Sequence, residues 1–95
     1  MIDLKETFEL YEDEYMKFEL VQVRMSKRPD IHAFMLLDDL TPGGGDMVAA
    51  AEHDEIWLAS DCEELAKIIT KDQVRQLCRC GVMFDSETDS LHMYV

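Results

Sequence analysis

Between Asp38 and Glu64 there is no lysine or arginine, although nine carboxylates fall in that stretch. The chain as a whole has 9 basic against 21 acidic residues, a formal net charge of -12 over 95 positions. So large a deficit of positive charge excludes nucleic acid and anionic lipid as direct partners and favours basic protein surfaces. Long apolar runs are missing too. The longest, Phe34 to Leu37 and Met47 to Ala51, fall far short of the roughly 18 residues a membrane span requires. No basic stretch followed by an apolar core leads the sequence, so the cytoplasm is the expected location. Glycine and proline number only four and two, and 47% of residues are hydrophobic, which together argue against disorder. Cysteine is scarce and odd in number: Cys62, Cys78 and Cys80 cannot all pair within one chain, which suits a reducing compartment.

A chain this short buries about 60–65% of its unfolded surface, enough for one core and one domain over residues 1–95. Charge and apolar content must then be segregated by face. Leu4, Phe8, Tyr11, Tyr15 and Phe18 recur at spacings of four and three, which predicts one long N-terminal helix of about twenty residues and about 30 Å. Strand from Phe18 to Met25 is the rival, since Val21, Val23 and Met25 alternate. Pro29 is placed to open a second helix, with Ile31, Phe34, Met35 and Leu37 at helical spacing. Thr41-Pro42-Gly43-Gly44-Gly45-Asp46 must be a loop, and is a candidate hinge over residues 41–46.

Met47 to Ala51 and Ile56 to Ala59 read as a hairpin turning at Glu52 to Glu55. Ser60 with Glu63, and Thr70 with Gln73, fit two capping boxes. The second short helix ends at Gly81, a residue suited to a left-handed cap. Val82 and Phe84, then Leu91, Met93 and Val95 set against His92 and Tyr94, predict a second hairpin with its turn at Asp85 to Ser90. Two N-terminal helical segments, two β-hairpins and two short capped helices between them make an α+β domain.

Few residues point to chemistry. Glu52-His53-Asp54-Glu55 is the densest group of metal-ligating and acid–base types, with Asp38, Asp39 and Asp46 as further donors. Neighbours on a tight turn do not converge on one point, so a solvated hairpin tip is the plainer reading. Cys78-x-Cys80 is one residue tighter than a usual zinc pair. Cys62 and Cys78 suit inner helix faces, Cys80 is the one thiol expected to be exposed, and a Cys–His pair through His92 or His32 is a formal option. Asp85-x-Glu87-x-Asp89 imitates a calcium loop but has Ser90 in place of the required glycine. The three glycines lack the lysine of a phosphate-binding loop. No cofactor is expected.

Trp57, flanked by Ile56 and Leu58, reads first as a core residue and second as an interface anchor with an acidic rim. Tyr11 and Tyr15 would form a dimer seam if the first helix projects. The basic residues form two islands, Arg24 to Arg28 and Lys67 to Arg79, open to internal salt bridges or self-association. The leading functional expectation is a non-enzymatic interaction or regulatory protein that engages a basic protein surface, with nucleic-acid mimicry as its narrower form. A structural homo-oligomer and a divalent-metal site around His53 are the alternatives. Asp61, Glu63 and Glu64 serve a helix start, which leaves Asp38, Asp39, Asp46, Glu52, Asp54 and Glu55 to form an electrostatic face.

Overall fold

Helices and two hairpins pack into an α+β domain of 28 × 28 × 23 Å, described over residues 1–94 in a computed structural model. Helices α1 (Leu4–Leu10) and α2 (Pro29–Leu40) come first, joined by irregular chain with short 3₁₀ turns at Glu12–Glu14 and Phe18–Leu20. Strands β1 (Val48–Glu52) and β2 (Glu55–Leu58), helices α3 (Cys62–Ile68) and α4 (Lys71–Arg79), and strands β3 (Val82–Asp85) and β4 (Ser90–Tyr94) follow. The four strands form one antiparallel sheet in the order β1-β2-β4-β3, which leaves β1 and β3 at its edges. The alternation expected at Val95 lies outside the described residues.

The helix starts follow local chemistry. Asp3 caps α1 by accepting the Glu6 N–H at 3.0 Å. Thr70 and Gln73 form the expected capping box on α4. Helix α3 departs from expectation: Asp61, not Ser60, is its cap and accepts the Glu63 and Glu64 N–H groups at 3.0 and 3.3 Å. A carboxylate there also meets the positive helix end, which a serine cannot match. Gly81 has φ +92°, and a Cβ on it would lie 2.7 Å from Met16 Sδ.

The N-terminal segment corrects both sequence readings, since residues 18–25 are neither continuous helix nor strand. Helix α1 stops at Leu10, where Glu9, Glu12, Asp13 and Glu14 crowd the negative helix end. Tertiary partners then hold the turns. Met16 adopts φ +63° and donates its N–H to the Cys78 carbonyl at 3.1 Å. Arg79 clamps Glu14 through Nε at 3.1 Å and reaches the Leu20 carbonyl at 3.2 Å. The long helical face that Tyr11 and Tyr15 would have shared is therefore not formed. Tyr11 packs on the core beneath Arg75, whose guanidinium carbon is 6.0 Å from the ring, while Tyr15 is partly exposed.

Helix α2 is rotated from its expected face. His32, Ala33, Leu36 and Leu37 are buried, whereas Ile31 and Met35 are exposed. The helix is apolar on several sides, and the imidazole decides the rotation. His32 Nδ1 accepts the Met25 N–H at 3.0 Å and Nε2 meets Gln76 Oε1 at 3.1 Å, so a fully buried polar ring has both nitrogens satisfied. Phe18 packs against the same ring at 5.8 Å. Residues from both sides of the 41–46 loop share one core: Leu36 and Leu37 before it, Leu58, Leu65 and Leu91 after it. Among its three glycines Gly45 alone has positive φ, +87°.

Candidate functional site

Strand alternation divides the sheet into an inner and an outer face. Ile56, Leu58, Val82, Phe84, Leu91 and Met93 face the helices and form or abut the core. The residues between them, Glu55 and Trp57 on β2, Met83 and Asp85 on β3, and His92 and Tyr94 on β4, share the other face. Among the described residues Trp57, Met83 and Tyr94 belong neither to the core nor to the side chains packed against it. Trp57 is thus an outer-face residue, not the core residue first expected.

The register explains how these side chains meet. His92 lies opposite Trp57 on one side and Met83 on the other, and Glu55 lies opposite Tyr94. The Trp57 indole stacks on His92 with centroids 6.4 Å apart and planes 17° apart. Its Nε1–H reaches Asp85 Oδ2 at 3.0 Å. Since Asp85 is on β3 and β4 intervenes, the indole lies across one whole strand, a span of about 9–10 Å. His92 Nδ1 is held by the Glu55 carboxylate, and Tyr94 meets the imidazole edge-on at 6.3 Å. Tyr94 is 55% exposed. Trp57 hydrogen bonding, followed by the Glu87 N–H, holds the Asp85 carboxyl below its ordinary range.

A groove of about 630 Å³ opens beside this face. Phe8, Val82 and Phe84 form its apolar floor, and Glu9, Glu12 and Asp13 its acidic rim. Met83 and His92 line its mouth, so groove and outer face are continuous. Cys78 lines it too, which bears on the Cys–His option. Burial pushes the Cys78 thiol up to about 12, and no hydrogen bond joins it to His92 among the described residues, so no thiolate–imidazole pair is formed. Cys80 is likewise buried, with its thiol pushed up to about 12 by the same cause; the expectation of an exposed thiol there was wrong.

The six carboxylates expected to make one face are divided between the two ends of the β1–β2 hairpin. Asp38 and Asp46 line a second groove of about 590 Å³ at its base, beside Gly43 to Gly45, Asp61 and Glu64. Asp39 is exposed on the last turns of α2. Glu52, Asp54 and Glu55 gather at the tip, where Glu52 pairs with Glu55 across a two-residue turn. His53 occupies that turn at φ +55°, with its side chain 87% exposed and 4.0 Å from Glu52. No three His, Cys, Asp or Glu side chains converge as metal ligands would among the described residues. The tip adjoins Trp57, so Glu52, Asp54, Glu55 and Trp57 are the expected residues that the fold does bring together. His92, Tyr94 and Asp85 join them unforeseen; the alternation in β4 marked the first two as outward, but nothing local linked them to Trp57.

Compared with protein-family models, curated proteins and solved structures, the chain matches none. No helix among the described residues is long and apolar enough to cross a membrane.

Proposed function

We propose that this chain is a small acidic, non-enzymatic interaction domain that engages a basic surface on another protein through the outer face of its sheet. The observation that carries the reading is the aromatic ladder of Trp57, His92 and Tyr94, outside the core and edged by Glu52, Glu55 and Asp85. Flat aromatic groups within a carboxylate rim suit lysine and arginine side chains, whose alkyl stems pack on rings while their charges meet the acids. A net charge of -12 would speed such an encounter and make it salt-sensitive. Duplex mimicry is the narrower form, with the separated carboxylate groups at the hairpin's tip and base standing in for phosphates. Three free cysteines, of which Cys78 and Cys80 are buried as thiols, fit a reducing cytoplasm.

The test is capture from native lysate at low and moderate salt, with wild-type protein beside a Glu52→Lys, Asp54→Lys variant. Both positions are exposed, so folding should be unaffected. Partners retained by the wild type at low salt and lost in the variant support the reading. Capture indifferent to salt and to the reversal contradicts it. A wild-type protein that sediments above monomer mass would favour the homo-oligomer instead.

A further inference from the structure

The groove between α1 and β3 is lined by Val82, Met83 and Phe84, three consecutive residues of the strand, and by Ser86 in the turn after it. Side chains of consecutive strand residues point to opposite faces, so one groove can touch all of them only by running along the strand's edge. That edge is free: among the described residues β3 pairs with β4 alone, and no backbone hydrogen bond ties it to another element. The other edge differs. Strand β1 carries a register irregularity between Val48 and Ala50, the kind of bulge that blunts an edge against pairing. Strand β3 pairs in regular register over all four residues and so keeps a flat edge.

We propose that the partner's contact with the outer face continues onto this edge, where it adds an extended, lysine- or arginine-bearing segment alongside β3 as a fifth strand. This rests on the reading of the chain as an acid-rimmed interaction domain and specifies its partner. Charge chooses the occupant: Glu9, Glu12 and Asp13 edge the groove against a single base, Lys5. Shape chooses its form. Alternate side chains of an added strand would fall on the Phe8–Val82–Phe84 floor and beside Met83 and His92, while its backbone meets the outward groups of β3. A four-residue edge accommodates about 13 Å of partner, so four or five residues make the contact.

The probe is a capped peptide alternating lysine with valine, compared with the same peptide methylated on alternate backbone nitrogens and with polylysine. Binding of the plain peptide should be at least about tenfold tighter than that of the methylated one, a difference of about 1.4 kcal/mol. It should slow amide exchange at Val82 to Asp85 and weaken at least about tenfold in a Glu9→Lys, Glu12→Lys variant. Both positions are exposed, and lysine near the end of α1 suits the helix dipole, so the variant should fold. Equal binding of the plain and methylated peptides overturns strand addition and leaves the acidic interaction reading intact. Binding of polylysine alone, without protection of β3, does the same. If none of the three binds, both readings fall. Protection of β3 in a peptide-free dimer would assign the edge to a second copy of this chain and overturn the peptide occupant.

Discussion

Replacing His32 with phenylalanine tests the account of the N-terminal third most sharply. The ring keeps its approximate volume, so packing against Phe18 is largely retained while both nitrogens are lost. Gln76 can turn to other partners, since its Nε2 already donates to Asp72 at 3.1 Å. The Met25 N–H has no such choice. Its only hydrogen bond among the described residues runs to His32 Nδ1, at 3.0 Å. An orphaned buried donor costs about 1–3 kcal/mol. Met25 is itself 43% exposed, so water can reach part of the site and the lower half of that range, about 1–2 kcal/mol, applies. For a domain of this size that corresponds to a fall in Tm of about 4–16 °C. His32→Ala adds a cavity and should cost about 2–3 kcal/mol more. Thermal unfolding followed by circular dichroism gives the total, and amide exchange at Met25 gives the local part. Wild-type stability in His32→Phe, with unchanged exchange at Met25, would refute the claim that imidazole bonding fixes residues 18–25 and the rotation of α2.

Other consequences are open to simple measurement. Gly81→Ala should cost about 1–2 kcal/mol for its left-handed backbone, and Gly81→Asn less, because asparagine tolerates that region. Equal melting temperatures for the two would point to the Met16 contact as the cause, and relief by Met16→Ala would confirm it. Stability should decline in acid. Glu14 and Asp85 are held below their ordinary values of 4.5 and 3.8, chiefly by hydrogen bonds from Arg79 and Trp57. Depressed folded values mean that this stabilisation is complete above those ordinary values and is lost as pH falls through the lower, folded ones. A Glu14→Gln, Asp85→Asn variant should therefore show a flatter Tm profile between about pH 5 and pH 2. Mass spectrometry after alkylation at mildly alkaline pH should find Cys78 and Cys80 unmodified until denaturant is added, because both thiols are pushed up to about 12 by burial.

Sequence reading succeeded where signals are local. Thr70 and Gln73 satisfy each other's backbone within one turn, Gly81 supplies a conformation other residues resist, and Pro29 opens α2 at its first position. Alternation marked the second hairpin, and two apolar runs flanking a polar turn marked the first, for the same reason. It failed where distant groups decide. The chain after α1 runs as it does because Cys78 and Arg79 accept and clamp it at Met16, Glu14 and Leu20. Nothing near those residues announces the contact. Helix α2 turns His32 inward because Met25 and Gln76 wait for it. The candidate site divides in the same way. Glu52, Asp54 and Glu55 are neighbours in sequence and remain so, whereas Trp57 finds Asp85 and Glu55 finds His92 across separations of 28 and 37 residues.

Trp57 is the only tryptophan in the chain and lies on the proposed contact face, so its fluorescence reports directly on the central claim. Polylysine titrated at low salt should shift its emission and reduce quenching by acrylamide, and moderate salt should reverse both effects. Binding established by sedimentation, with emission and quenching unchanged, would contradict the assignment of the outer sheet face as the binding surface.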